Sequence, residues 1–182
     1  MTNTLNSISL RPIAETDMPV LREIYYASRA EEMTFFPFND EQKLQFLASQ
    51  FDAQHSHYQA YYGQAQYDCV LLDSTVIGRL YVDRGAEDMR IIDINILPAY
   101  CNRGIGTFLL QQLIAEADAK QLSLSAHVEH NNPARRLYAR LGFDEVENRE
   151  VYIFIVRQSA NTKPAQASNQ TKLADKVSST AF

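Results

Sequence analysis

The chain has 182 residues, of which 46% are hydrophobic and 21% charged, so it can bury a sizeable core within one domain. Six glycines and six prolines are too few for a fibrous or low-complexity protein. A formal net charge of −5 argues against binding that depends on neutralising nucleic-acid phosphates, and we expect no nucleic-acid partner.

The cysteines and the hydropathy pattern indicate the compartment. Cys69 and Cys101 lie far apart, which indicates free thiols in a reducing environment rather than a disulfide framework. The N-terminus has no basic patch ahead of an apolar core, and no apolar stretch approaches the length of a membrane span. We therefore expect a cytoplasmic protein with no membrane partner.

The first third of the chain predicts one strand followed by two helices. Residues 7–13 predict the strand, and Asp17 is placed to cap the first helix. Asn39 begins the second helix, which has the clearest periodicity in the chain. His55 and His57 lie two residues apart and would point to different sides of a helix, so we expect no metal site.

Three further strand patterns follow. Residues 67–72 and 75–82 predict a hairpin, in which Gly78 indicates a bulge or a close approach of another backbone. Residues 91–97 predict a third strand. Strict alternation places Ile92, Ile94 and Ile96 on one face and Asp93, Asn95 and Leu97 on the other. Because a strand between two helical layers is usually apolar on both faces, the polar residues indicate either an opening beside the strand or an exposed face.

A glycine turn, Gly104-Ile105-Gly106-Thr107, leads from this strand into a helical pattern. Free backbone N–H groups and the positive end of the helix dipole make such a turn suitable for binding a phosphate. A Walker loop would need a Gly-Lys-Ser/Thr run, which the chain lacks. A dinucleotide fingerprint would need a third glycine where the chain has Leu109.

Two segments resemble the GNAT superfamily of N-acetyltransferases. Arg103-Gly104-Ile105-Gly106 resembles the loop that binds the pyrophosphate of acyl-coenzyme A. Cys101 stands where the family has Arg or Gln, and Arg103 is the candidate for the missing charge. Residues 131–143 (NNPARRLYARLGF) resemble the family segment Asn-x-x-Ala-x-x-x-Tyr-x-x-x-Gly-Phe, with Tyr138 in register.

The resemblance implies an α/β (α+β) fold with a mixed central sheet of six to seven strands flanked by about four helices. The two central parallel strands, residues 91–97 and 122–128, would splay apart. We expect the GNAT domain to occupy residues 1–158. Residues 159–182 have almost no large apolar side chains, and we predict that they form a disordered tail.

The resemblance also implies acetyl-coenzyme A as co-substrate, with no metal. The pantetheine arm would pair with the backbone of Ile94, Asn95 and Ile96. The pyrophosphate would lie on the amides of Arg103, Gly104, Ile105, Gly106 and Thr107. Asn131 or Asn132 would also contact the pantetheine arm. The family's spacing from Asn to Ala favours Asn131, whereas the Asn-Pro-Ala sequence of some members favours Asn132. Arg135 would lie near the nucleotide.

For catalysis the resemblance points to Tyr138 as the general acid for the departing thiolate, because a phenol and a thiol have similar pKa values. Asp93, on the polar face of the splayed strand, is the first candidate for the general base. Glu129, His127 or a chain of water molecules are the alternatives. Residues 31–38, which are rich in phenylalanine, would either line the acceptor site or pack the edge of the domain.

The predicted function is therefore N-acetyl transfer to a primary amine of a small molecule or peptide. The acidic balance of the chain favours a cationic amine, but the sequence does not identify the acceptor. The alternative is a protein that binds acyl-coenzyme A as a sensor without turning it over. Whether the chain forms a homodimer is left open.

Overall fold

The computed structural model describes residues 4–160, which form one mixed sheet with helices on both faces. Its strands are β1 (Ile8–Pro12), β2 (Gln66–Leu72), β3 (Thr75–Arg84), β4 (Asp88–Ile96), β5 (Ser123–Glu129), β6 (Asp144–Asn148) and β7 (Tyr152–Arg157). Its α-helices are α1 (Met18–Arg29), α2 (Asp40–Tyr61), α3 (Ile105–Lys120) and α4 (Arg135–Arg140). Within residues 4–160 the strand order is β1-β2-β3-β4-β5-β7-β6, and only the β4–β5 pair is parallel.

The helices divide between the two faces of the sheet. Helices α3 and α4 pack on one face, called the α3/α4 face, over a core that includes Ile105, Leu110 and Tyr138. Helices α1 and α2 pack on the opposite α1/α2 face, over a second core that includes Leu21 and Phe51. The predicted α/β fold with about four helices is confirmed.

Helix starts follow local capping chemistry at one of the two predicted sites. Asn39 caps α2, because its side chain accepts from the Gln42 N–H while the Gln42 side chain accepts from the Asn39 N–H. Asp17 lies at the N-cap position of α1 but makes no capping hydrogen bond there. Its carboxylate instead accepts from Arg11 at 2.7 Å and from the Ala14 N–H at 2.8 Å, which ties β1 to the start of α1.

The parallel strands β4 and β5 separate partway along their length. Their pairing runs from Asp88 opposite Ser123 to Ile91 opposite Ala126 and ends there. Beyond that point β4 continues to Ile96 beside β3, and β5 continues beside β7. The predicted splay is confirmed, and it opens a gap in the middle of the sheet.

Strand β4 also carries a bulge beside this gap. Asp93 and Ile91 pair with consecutive residues of β3, so Ile92 between them has no partner. As a result Ile91 and Ile94 both face α3, whereas Asp93 faces α1 and α2. The predicted alternation is confirmed from Asp93 to Leu97, and the bulge shifts the phase of the strand only ahead of these residues.

Gly78 lies where β3 passes close to β4. A Cβ atom at this position would collide with the Asn95 carbonyl oxygen and with the Ile96 side chain. The predicted close approach of backbone is confirmed, and β2 also has a register shift opposite this part of β3. Gly78 thus allows β3 to support the part of β4 that borders the gap.

The folded part continues past Gln158. Ser159 is buried, and the Ala160 N–H donates to Asp118 at 2.9 Å. The predicted disorder of the tail falls, from residue 161 onward, outside the described residues. None of the helices within residues 4–160 combines the length and apolar character that a bilayer crossing requires.

Candidate functional site

The start of α3 presents a row of unused backbone donors. The first helical bond runs from the Phe108 N–H to the Gly104 carbonyl at 2.9 Å. Among the described residues, the N–H groups of 103–107 have no hydrogen-bond acceptor. Gly104 adopts a left-handed conformation with φ of 80°, which glycine tolerates without strain. This geometry fits a pyrophosphate, whose oxygens would satisfy these donors at the positive end of the helix.

Side chains around this loop add one cation and little obstruction. The exposed Arg103 guanidinium lies 5.3 Å from the centroid of the Tyr100 ring. The Cys101 thiol lies 3.5 Å from the Ile96 carbonyl oxygen, so this side chain is directed at β4. A Cβ atom at Gly106 would contact only Leu137 Cδ2, at 3.9 Å, among the described residues. The glycine therefore keeps the loop surface open to a ligand rather than relieving a clash within the fold.

The gap between β4 and β5 exposes backbone groups of β4. The Leu97 N–H donates to the Ile77 carbonyl at 2.8 Å, so the backbone N–H and C=O groups of Leu97 point toward β3. These groups alternate in direction along a strand. The N–H and C=O groups of Asn95 therefore also point toward β3, whereas those of Ile94 and Ile96 point into the gap. The gap thus offers two residues of β4 for strand-like pairing, and Asn95 is not one of them.

Asp93 occupies the α1/α2 face at the edge of the gap. Its Oδ2 accepts from Arg79 at 2.6 Å, and its Oδ1 accepts from the Asn95 side chain at 2.6 Å. Arg79, which is 1% exposed, also donates to Gln54 of α2 at 3.0 Å. Two strands therefore hold the Asp93 carboxylate directly, through Arg79 on β3 and Asn95 on β4. Helix α2 supports it indirectly, because Gln54 accepts from Arg79.

The two alternative bases lie on the same face, on β5. Burial, followed by the charge of Arg90, lowers the pKa of His127 to about 4, so its imidazole is neutral at pH 7. Glu129 accepts from Arg29 at 2.9 Å, and Arg29 also donates to Glu32. This pair joins the end of α1 to the open end of β5.

Tyr138 lies on the opposite, α3/α4 face. Its ring is 5% exposed and packs edge-to-face against Phe143 with centroids 5.2 Å apart. Burial, and secondarily the charge of Asp93, raises the pKa of the Tyr138 phenol well above 10. The structure thus brings the predicted acid and base close enough to interact electrostatically across the gap.

The segment ahead of α4 separates the two candidate asparagines. The Asn132 side chain accepts from the Ala134 N–H at 2.8 Å and shapes the turn into α4. Asn131 is exposed, and its side chain has no partner among the described residues. Arg135 donates to Glu145 at 2.7 Å and to the His130 carbonyl at 3.0 Å, so its guanidinium is engaged within the fold.

The aromatic segment between α1 and α2 packs against α2. Phe36 and Phe38 stack with centroids 5.5 Å apart, and both lie within 5.9 Å of Phe46. Phe35 is 82% exposed. The segment therefore packs an edge of the domain, while its Glu32 shares Arg29 with the open end of β5.

Sequence patterns missed three polar residues of this region: Arg79, Gln54 and Arg29. Arg79 lies in the middle of an apolar strand, where its buried partner on β4 only becomes evident from the strand register. Gln54 and Arg29 lie on helices that only tertiary packing brings to the gap. Among residues 4–160 no group of three or more His, Cys, Asp or Glu side chains is arranged to hold a metal.

Comparison with known proteins gives a family and a fold. The acetyltransferase (GNAT) family model matches residues 22–143. The [ribosomal protein bS18]-alanine N-acetyltransferase of Haemophilus influenzae is 33% identical over 81 residues, which cover 44% of this chain and 56% of that protein. The match thus spans little more than half of that relative's length.

Two solved structures share the fold at low sequence identity. The PaiA N-acetyltransferase of Thermoplasma acidophilum, solved with coenzyme A, is 16% identical, covers 84% of this chain and 99% of its own, and superposes with a TM-score of 0.63. The ribosomal-protein-S18-alanine N-acetyltransferase of Escherichia coli is 19% identical, covers 87% of this chain and 98% of its own, and gives a TM-score of 0.59.

Proposed function

The chain belongs to the acetyltransferase (GNAT) family, and on that premise we propose that it transfers an acetyl group to a primary amine. The acyl donor is acetyl-coenzyme A, the co-substrate of this family. One observation carries the proposal: the gap between β4 and β5 connects the two faces of the sheet. The loop of residues 103–107 and Tyr138 border it on the α3/α4 face. Three potential proton acceptors, Asp93, His127 and Glu129, border it on the α1/α2 face.

The residues of the α3/α4 face bind the coenzyme in this proposal. The free N–H groups of residues 103–107 hold the pyrophosphate, with Arg103 as the nearby cation. The backbone of Ile94 and Ile96 pairs with the pantetheine arm, and Asn131 is the better placed of the two asparagines because Asn132 is already bonded. Arg135 contributes to the nucleotide end only if it leaves Glu145.

The residues at the gap then move two protons. The coenzyme supplies a thioester, whose exchange for an amide leaves a thiolate to be protonated. Tyr138 gives its proton to that thiolate. Burial raises the pKa of the phenol, which keeps it protonated beforehand but also makes it a weaker acid than the similar pKa values of a free phenol and a free thiol imply. Asp93 takes the proton of the amine, directly or through water, using the lone pairs that Arg79 and Asn95 leave free.

The acceptor is a primary amine of a peptide or a small molecule. Two relatives are named for acetylating an alanine of a ribosomal protein, so a peptide with an N-terminal alanine is the first acceptor to test. The excess of acidic residues favours a cationic acceptor such as a polyamine or a lysine side chain as the second.

The test measures thiol release from acetyl-coenzyme A with each amine, alongside the melting temperature with the coenzyme alone. A ligand at about 100 times its Kd should stabilise the fold by roughly 2.7 kcal/mol. We expect a raised melting temperature and amine-dependent thiol release above the rate without amine. A raised melting temperature without release for any amine would favour the sensor function, and no change with any acyl-coenzyme A would contradict both.

A further inference from the structure

Arg79 is a buried cation directly beneath the proposed catalytic gap. It lies on β3, and its guanidinium donates to Asp93 at 2.6 Å and to Gln54 at 3.0 Å. The Arg79 and Asp93 side chains are only 2% and 8% exposed. The ion pair therefore forms away from bulk water, where both its geometry and its charges matter more than on a surface.

Aromatic rings surround this guanidinium on the α1/α2 face. The rings of Tyr25, Phe51 and Tyr81 have centroids 5.4 to 5.7 Å from the Arg79 Cζ atom. These rings come from α1, α2 and β3. They leave the guanidinium little freedom, so the position of the Asp93 carboxylate is fixed with it.

The pair is not arranged as a fully satisfied structural network. The Arg79 Nε and the Tyr81 hydroxyl are both buried, and neither has a hydrogen-bond partner within residues 4–160. A buried pair that served stability alone could be replaced by apolar side chains with little loss. Its position at the edge of the gap, with two polar atoms left unpaired, points to a role in the site.

We propose that Arg79 is the positioning residue for Asp93: it holds the carboxylate at the edge of the gap in one orientation, with Asn95 as the second support. This proposal rests on the proposed acetyl transfer. Arg79 touches neither substrate in this arrangement. It acts only through Asp93, two of whose lone-pair positions are occupied while the others remain available to the amine proton.

Several titratable groups surround this pair and enter the design of the test. Tyr81 lies on β3, Tyr25 on α1, Tyr58 and His55 on α2, and Tyr138 on α4. Burial raises the pKa of each of these tyrosines, so they stay neutral below pH 9. Burial, followed by the charge of Arg79, lowers the pKa of His55, so removing Arg79 would also alter His55.

The experiment compares Arg79→Gln with Arg79→Lys by the pH dependence of kcat/KM, in the otherwise native chain and with His55→Gln added to exclude that histidine. Loss of a cation beside a carboxylate makes the carboxylate easier to protonate. We expect the acidic limb of kcat/KM to move up by about one to three pH units in Arg79→Gln. Arg79→Lys should return the limb most of the way, because it restores the charge.

Gln54→Leu is the matched control. It removes the other hydrogen bond of Arg79 and perturbs the same buried cluster without changing the charge next to Asp93. Its acidic limb should stay where the native chain has it. If Arg79→Gln fails to fold, Asn95→Leu removes the second support of Asp93 and should move the limb in the same direction by less.

The positioning role would be overturned if the acidic limb of kcat/KM lay at the same pH in Arg79→Gln and in Gln54→Leu, even with acetyl transfer intact in the native chain. It would also be overturned if the limb of Arg79→Gln moved only in chains that keep His55, because the effect would then belong to that histidine. Absence of acetyl transfer by the native chain would instead refute the proposed function, and the positioning role with it.

Discussion

The hydroxyl of Tyr138 can be removed with almost no change to the fold. Tyr138→Phe keeps the ring that packs at 5.2 Å against Phe143. The variant removes one hydroxyl and leaves in place the apolar contacts that the buried ring makes in the α3/α4 core. We therefore expect a melting temperature and an acetyl-coenzyme A affinity close to those of the native chain.

The catalytic effect of the same change should be large. General acid catalysis contributes about a hundred- to ten-thousand-fold in rate. At 1.36 kcal/mol for each factor of ten, this is roughly 2.7 to 5.4 kcal/mol of transition-state stabilisation. We expect kcat to fall by that factor, with KM for acetyl-coenzyme A little changed.

The pH profile provides an independent check. An unperturbed phenol would ionise near pH 10 and lower the rate above that value. Because burial, followed by the charge of Asp93, raises the pKa of Tyr138, the native chain should keep its proton and its rate beyond pH 10. The phenol holds its proton more tightly in the folded state, so its contribution disappears only as pH rises through the raised value.

The assay is thiol release in the steady state and in a single turnover, with calorimetric binding of acetyl-coenzyme A. Native activity in Tyr138→Phe would refute the role of general acid and leave the side chain a packing role. A loss of coenzyme binding that accounts for the lost rate would identify Tyr138 as a ligand contact instead.

Three further outcomes are expected. Gly106→Val adds a Cβ atom that would meet only Leu137 among the described residues, and it should weaken coenzyme binding by roughly 1.5–3 kcal/mol without changing the melting temperature. Unchanged affinity by calorimetry would place the phosphates elsewhere. Arg84 donates a hydrogen bond to the Glu116 carboxylate and lowers its pKa from 4.5 to about 2. This hydrogen bond therefore stabilises the fold fully above pH 4.5, and its contribution to stability is lost as the pH falls toward 2. Denaturant titrations should thus show Glu116→Gln less stable by about 1 kcal/mol or less at pH 7 and equal to the native chain near pH 2. A chain ending at Ala160 should melt and bind coenzyme like the full chain, and a large drop in melting temperature would show that the removed residues contribute to the fold.

Sequence patterns predicted the parts of this protein that depend on local chemistry. The cap at Asn39 and the glycine turn at Gly104 follow from residues close together in the chain, whereas the splay of β4 and β5 was implied by the family resemblance. The family assignment came from two such local segments as well, and the match over residues 22–143 confirms it. The individual site residues remain predictions.

Patterns failed where pairing across strands decides the outcome. Strict alternation does not predict the bulge at Ile92, because the bulge depends on how β4 pairs with β3. Arg79 went unnoticed because its partner is on another strand and its remaining neighbours are on two helices. The position of Asp17 predicts a helix cap, but its carboxylate accepts from Arg11 on β1 and makes no capping hydrogen bond to α1.

The unpaired residue in β4 gives the strand two phases. Before it, Met89 and Ile91 face α3; after it, Ile94 faces α3 and Asp93 faces the other way. Strict alternation from Ile91 onward would instead direct Asp93 toward α3 and Ile94 toward α1. Deletion of the unpaired Ile92 would remove the bulge and leave Asp93 and Ile94 on their present faces. A chain that lacks Ile92 should therefore keep its carboxylate and its apolar side chains on the same sides of the strand next to the gap.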